Sequence, residues 1–126
     1  MSGESGGSAL EVARAYYEAW TTAGFDEALT HIDESIVCDA PAGRLDGIEA
    51  FRGFMEPFTK ILTHAELIAA FGDDSTALLM YNTDTVPVKN APGAEFHIVR
   101  AEKIVYMRII FDRAPFDAAR QASQSS

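Results

Sequence analysis

The sequence is poor in the residues on which several common classes of protein depend. Among its 126 residues there is one cysteine, Cys38, which excludes an internal disulfide and a cysteine-rich metal site. No apolar run approaches the roughly 20 residues needed to span a bilayer. Residues 1–7 contain no positive charge and no apolar core, so we expect no signal peptide and a location in the reducing cytoplasm.

Positive charge is also scarce. The chain has 10 Lys and Arg against 19 Asp and Glu, a formal net charge of −9, and its basic residues form no cluster. Such a surface would repel nucleic acid and anionic membranes, so neither is an expected partner. The histidines are not at ligand spacing, so no metal and no cofactor are predicted. The expected partner is a hydrophobic small molecule, neutral or weakly charged.

The composition is that of one globular domain. The chain is 48% hydrophobic and 23% charged, and its length suffices for a single sizeable core. The Gly/Ser-rich residues 1–8 are predicted to be disordered, residues 9–116 to form the domain, and residues 117–126 to form a polar tail.

Apolar residues recur at helical spacing in the N-terminal half. A first helix begins near Ser8, which forms a capping-box pattern with Glu11, and it ends at Gly24. A short second helix is predicted at residues 25–32, and a short strand at residues 36–38.

A third helix, with an apolar face made mostly of phenylalanine, follows a second capping-box pattern, Asp46 to Glu49. Pro57 lies inside it, so we expect a kink. From Thr63 onward the apolar period becomes that of strands, and four are predicted at residues 63–71, 75–86, 94–100 and 103–111. Helices followed by antiparallel strands predict an α+β fold with the helices on one face of the sheet.

The last hairpin has a predicted register. A two-residue turn places Phe96 opposite Met107 on an apolar inner face, which Phe111 continues. The same register places Glu95 opposite Arg108 on the outer face. That outer face is too apolar for plain solvent surface, and it predicts a homodimer contact.

One acid stands out at the centre of the chain. Asp39 ends the early strand and precedes a Pro/Gly-rich turn and the aromatic helix. It has two interpretations: a general base at the mouth of an apolar pocket, or a turn residue that caps backbone amides. Residue types alone favour the turn residue.

The ordered segments V-C-D-A-P-A-G, D-G-I-E-A-F-R-G-F and K-I-V-Y-M-R-I-I-F-D resemble the nuclear-transport-factor-2-like superfamily, in its ketosteroid-isomerase and SnoaL-like branches. The resemblance covers roughly residues 9–116. It implies a cone-shaped barrel, in which three N-terminal helices cover a curved antiparallel sheet over an apolar cavity. It also implies a dimer that acts on hydrophobic small molecules.

By the same resemblance, Asp39 is the general base and Tyr17 donates a hydrogen bond to the substrate oxygen. The second acid of ketosteroid isomerases falls on Phe96, or on Glu95 if the turn differs by one residue. The implied function is isomerase- or cyclase-type proton transfer on an apolar carbonyl compound. The predicted pocket walls are Trp20, Phe54, Phe58, Tyr81, Phe96, Met107 and Phe111.

Alternatives stay open at this point. The chain could be a non-catalytic ligand-binding or dimeric module of the same fold, and Tyr17 could be a core aromatic. His97 with Asp112 superficially resembles a polyketide-cyclase pair, although the predicted register places both on the outer face. An Asp-Arg-Asp set of the epoxide-hydrolase kind would need Asp39, Asp84 and either Arg44 or Arg100, and no spacing requires it.

Overall fold

The computed structural model of the chain describes residues 7–125. It contains four α-helices, one π-helical segment and six strands within that range. In chain order they are α1 (Ser8–Glu18), the π-helical segment (Ala19–Ala23), α2 (Phe25–Leu29), β1 (Ile32–Ala40), β2 (Gly43–Asp46), α3 (Ile48–Ile61), β3 (Leu62–Gly72), β4 (Thr76–Thr85), β5 (Ala91–Arg100), β6 (Lys103–Phe111) and α4 (Ala114–Ser125). The α+β class is confirmed.

The strands form one open sheet in the order β2-β1-β6-β5-β4-β3. The prediction of a purely antiparallel sheet is wrong in one place, because β1 pairs with β6 in parallel. The other neighbours are antiparallel. Since β1 and β6 are far apart in sequence, the intervening helix and strands form the crossover that a parallel pair requires.

Two boundary predictions are corrected by the structure. Most of the segment predicted to be disordered, residues 1–6, lies outside the described residues, but Ser8 already belongs to α1. The segment predicted as a polar tail is largely helical, because α4 extends to Ser125. Asp112 accepts a hydrogen bond from the Ala114 backbone amide at 3.0 Å, which satisfies one free donor at the start of this helix.

The two predicted capping boxes are not formed. Gly7 and Gly47 occupy the capping positions of α1 and α3, each with positive φ, and no side chain caps either helix. Ser8 is used differently: its backbone amide donates to Asp74 Oδ1 at 3.1 Å and its hydroxyl to the Asp74 carbonyl at 3.2 Å. These bonds tie the start of α1 to the β3–β4 turn.

Helices α1, α2 and α3 bury their apolar faces against the inner face of the sheet. Phe51 of α3 is fully buried, stacked on Phe25 with ring centroids 6.0 Å apart and tilted against Tyr16 at 6.2 Å. Ile104, Met107 and Ile109 meet them from β6. Burial of this apolar surface is the main source of the stability of the fold. Among the described residues, no helix is long and apolar enough to cross a membrane.

Candidate functional site

A cavity of about 290 Å³ lies between α3, the inner face of the sheet and α4. This volume is at the lower end of small-molecule pockets, which occupy roughly 300–1,000 Å³. Its large apolar wall residues are Phe54, Met55, Phe58, Ile109, Phe111 and Phe116. Four of the predicted wall residues are therefore at the cavity, namely Phe54, Phe58, Tyr81 and Phe111.

Aromatic contacts hold the walls in place. Phe116 of α4 packs edge-on against Phe58 and Phe111, with ring centroids 6.3 and 5.7 Å away. Phe58 also contacts Trp20 at 6.0 Å. Trp20 itself is buried behind Phe58 and Tyr81 and is not part of the cavity wall. Helix α4 thus closes one side of the pocket through a phenylalanine.

The inner wall contains a polar group, Tyr81 with Glu95 and His97, that the predicted register did not bring together. Tyr81 lines the cavity, and its hydroxyl donates a hydrogen bond of 2.5 Å to Glu95 Oε2. Glu95 Oε1 lies 2.9 Å from His97 Nε2. Glu95 and His97 are 1% and 0% exposed, so this carboxylate is held by two side-chain partners in a dry environment. An ionised carboxylate only accepts hydrogen bonds, so in that state the His97 proton is on Nε2.

Burial and charge both act on Tyr81. Desolvation raises the pKa of its phenol well above the usual value, and the negative charge of Glu95 raises it further. Tyr81 is therefore a neutral phenol at physiological pH, carrying a proton that points to Glu95. Gly93 makes room for the ring, because a Cβ at that position would lie 2.8 Å from Tyr81 Cε1.

The predicted orientation of Glu95 is wrong, and a β-bulge is the reason. The pairs Arg100↔Lys103 and Val99↔Ile104 follow the predicted turn, but Ile98 then pairs with Tyr106 because Val105 is an extra residue in β6. From there on, Glu95 is opposite Ile109, on the inner face. Its predicted partner Arg108 is opposite Phe96 on the outer face.

The same shift corrects the other β5 residues. Phe96 was predicted at the pocket, but it lies on the outer face, where its ring is 6.3 Å from that of Tyr106. His97 was predicted on the outer face, but it is fully buried on the inner one. Met107 does face inward and is fully buried, but it belongs to the core and does not line the cavity.

Asp39 lies on the outer face of β1, away from the cavity lining. Arg44 donates two hydrogen bonds to its carboxylate, at 2.8 and 2.9 Å, and the Tyr106 hydroxyl donates a third at 2.7 Å. These bonds hold the pKa of Asp39 well below its usual range, with the Arg44 bond as the largest cause. A carboxylate stabilised in this way is a weak base.

Tyr17 is buried next to the polar group rather than in the cavity wall. Its ring centroid is 5.6 Å from that of Tyr81 and 5.4 Å from that of Trp20. Burial raises the pKa of the Tyr17 phenol, and the charge of Glu95 adds to the effect. Tyr17 therefore packs against the Tyr81 ring. The structure does not bring Tyr17 together with Asp39.

Buried polar atoms without a partner lie beside the same group. The Tyr16 hydroxyl and His97 Nδ1 make no hydrogen bond, and the two rings meet edge-on with centroids 5.7 Å apart. Unsatisfied buried polar atoms are costly and uncommon in folded proteins.

The other sets considered from the sequence are not assembled. Asp112 caps α4, while His97 is inside the fold. Asp84 accepts a hydrogen bond from the Asn90 backbone amide at 2.8 Å, on a different part of the sheet from Asp39. Among the described residues, no three His, Cys, Asp or Glu side chains converge as metal ligands.

With this geometry in view, the comparisons with known proteins identify the family. A sequence profile of the SnoaL-like domain matches residues 13–107, so the chain belongs to the SnoaL-like domain family. The resemblance to the nuclear-transport-factor-2-like superfamily is thereby confirmed, and so is the cone fold, with a sheet that is not closed.

Solved structures agree with this assignment. The crystal structure of a protein from Kribbella flavida DSM 17836 is 54% identical, with a TM-score of 0.91 over 94% of this chain and 98% of that one. An NTF2-like protein of unknown function from Cytophaga hutchinsonii ATCC 33406 is 17% identical, with a TM-score of 0.72 over 93% and 99%.

A candidate polyketide cyclase from Sinorhizobium meliloti is 16% identical, with a TM-score of 0.69 over 79% of this chain and 94% of that one. Likeness at 16–17% identity shows the fold alone. A search of curated protein sequences found no match.

Proposed function

We propose that this protein is an enzyme that binds an apolar carbonyl compound and moves a proton on it by general acid–base catalysis, of the isomerase or cyclase type. One observation carries the proposal: a phenol and a buried carboxylate share a 2.5 Å hydrogen bond at the wall of a cavity whose large side chains are mostly apolar. A dry site strengthens such interactions and keeps water away from reactive enolates.

In the proposed reaction the proton leaves a carbon atom next to the substrate carbonyl. It passes to the Tyr81 oxygen while the Tyr81 proton passes to Glu95, and the electron pair of the C–H bond becomes the enolate. Returning the proton to another carbon of the enolate completes an isomerisation. In a cyclisation the enolate carbon attacks a second carbonyl of the same molecule, and the resulting alkoxide takes the proton back.

Tyr81 would be the group that touches substrate, because it lines the cavity and Glu95 does not. His97 would be a positioning residue that holds the Glu95 carboxylate through its 2.9 Å contact. The catalytic roles implied for Asp39 and Tyr17 stay predictions. We assign the base to Glu95, acting through Tyr81, because the Asp39 carboxylate lies outside the cavity and already accepts three hydrogen bonds.

The test is deuterium exchange into 2-tetralone, a small apolar ketone, followed by NMR in D₂O. The wild-type protein should accelerate exchange over buffer, and Tyr81→Phe and Glu95→Gln should each lower the rate by about 100-fold or more. Tyr106→Phe and Asp39→Asn are the matched controls, since they change the same chemical groups on the outer face, and both should retain activity.

The possible results separate the hypotheses. Loss of exchange in Asp39→Asn, with retention in Tyr81→Phe, would move the base back to Asp39. If calorimetry shows that the wild-type protein binds 2-tetralone but does not accelerate its deuterium exchange, the enzyme hypothesis is contradicted. A ligand-binding module is then favoured.

We also propose that the outer face of the sheet mediates homodimer formation. Phe71 and Leu78 pair across β3 and β4 and are 63% and 53% exposed. Met80 and Ile110, exposed by 47% and 60%, flank Ala94 on the neighbouring strands. Apolar side chains that are contiguous on one sheet face are typical of a surface that another protein covers.

A further inference from the structure

We infer that the ligand of this pocket carries an anionic group, and that Arg113 and Arg120 recognise it where the cavity opens to solvent. This inference rests on the proposed binding of an apolar compound and adds a substrate class to it: an apolar ring system with a carboxylate at one end.

The polar groups of the cavity occupy distinct places. Tyr81 and Thr83 supply hydroxyls from β4, whereas Arg113, Asp117 and Arg120 are contributed by α4 and the residue preceding it. The two arginine side chains are 49% and 61% exposed, so their end of the cavity faces solvent. An apolar ligand with one charged end fits this distribution.

The charges at this end do not cancel. Asp117 forms an ion pair with Arg120 and lies 4.0 Å from the Arg113 guanidinium, so one carboxylate serves two arginines. Among the three charged residues that line the cavity, this leaves one positive charge in excess, on a chain whose formal net charge is −9. Each guanidinium has five N–H donors, and most remain available for a ligand oxygen while Asp117 holds the side chain in place.

Ion pairs three and four residues apart are common on solvent-exposed helices and add little stability there. Here, however, the three charged residues and Phe116 all line the cavity, so their spacing places them on its side of α4. Helix α4 also lies beyond residues 13–107, the segment that matches the SnoaL-like domain profile. It lies outside the matched segment, as does the end of β6, and it is in a position to determine which ligand is accepted.

The test uses two probes of nearly the same shape, naphthalene-2-carboxylate and the neutral naphthalene-2-carboxamide, titrated into the intact protein by calorimetry. We expect the carboxylate to bind roughly three- to tenfold more tightly, with an advantage that shrinks as salt is added. Arg113→Gln/Arg120→Gln should remove that advantage, because it should weaken carboxylate binding far more than carboxamide binding. Asp117→Asn, which removes the competing carboxylate, should increase it.

A control for overall charge is Arg14→Gln/Arg100→Gln, which removes two exposed positive charges on α1 and at the end of β5. It should leave the preference intact. If both probes bind with equal affinity, or if the control double variant lowers the preference as much as the α4 variant does, the inference is wrong while the apolar pocket stands. If neither probe binds the wild-type protein, the proposed function fails together with the inference.

Discussion

The hydrogen bond between Tyr81 and Glu95 can be compared with a second tyrosine–carboxylate hydrogen bond in the same chain. Tyr81→Phe removes a phenol that donates to a carboxylate at 2.5 Å, and Tyr106→Phe removes one that donates to Asp39 at 2.7 Å. The chemical change is identical, but Glu95 is 1% exposed and the Asp39 side chain 27%. Water can replace the lost donor at Asp39, whereas Glu95 would be left with His97 alone.

A hydrogen bond to a buried charged group contributes about 1.5–3 kcal/mol. We therefore expect Tyr81→Phe to lower the free energy of unfolding by about 2 kcal/mol, and Tyr106→Phe to lower it by clearly less than half as much. Urea denaturation at pH 7, with equal slopes required for all variants, measures both losses. Glu95→Gln is the control, because its amide oxygen can accept from Tyr81 and its NH₂ group can donate to His97 Nε2 once the imidazole proton is on Nδ1, and it should keep most of the stability.

Equal losses in the two phenylalanine variants would refute the reasoning. They would mean that water reaches Glu95 or that the bond to Tyr81 is not formed in solution. A severe loss in Glu95→Gln would show that the carboxylate charge itself holds the fold together. The proposed catalytic role would then need a variant other than Glu95→Gln to separate activity from stability.

Two further predictions concern other parts of the molecule. Cys38 is fully buried, and desolvation raises the pKa of its thiol to about 12, so a thiol reagent at pH 8 should label it only after urea unfolding; rapid labelling of the folded protein would contradict its burial. Leu78→Asp should convert the proposed homodimer to a monomer in size-exclusion chromatography with light scattering at micromolar concentration, while Glu102→Gln in the β5–β6 turn should not. If the wild-type protein is a monomer under those conditions, the proposal of a homodimer is wrong.

Periodicity predicted the elements with strong patterns and failed for the element with a weak one. Strand β6 was predicted with its observed bounds, Lys103–Phe111, because it is an almost continuous apolar and β-branched run that directly follows a turn. Helix α4 was missed because Phe116 is its one large apolar residue, so its pattern resembles that of a solvated tail. Its start did carry a signal, since Asp112 followed closely by Pro115 is typical of a helix N-terminus.

The site depended on a feature that alternation does not encode. The prediction assumed a regular ladder with an apolar inner face. In such a ladder Phe96 and Ile98 point inward from β5. Because Val105 is an extra residue in β6, Met107 and Ile109 still face inward. The β5 residues that lie opposite them are His97 and Glu95. One β-bulge therefore decides whether the acid is buried or exposed.

This arrangement of β5, with polar residues inside and apolar residues outside, works against stability. It is therefore informative about function. Placing a glutamate and a histidine inside while a phenylalanine and an isoleucine remain on the outer face of the same strand removes apolar burial and adds desolvation of a carboxylate. Local choices that conflict with the rest of a fold are expected where function requires them. In β5 the conflict falls directly behind Tyr81, at the wall of the cavity, and it places apolar residues on the face that we propose to be covered by a second copy. A catalytic pocket on the inner face would account for the buried polar residues of β5, and a dimer contact on the outer face would account for its outward-facing apolar residues. A purely structural strand would account for neither.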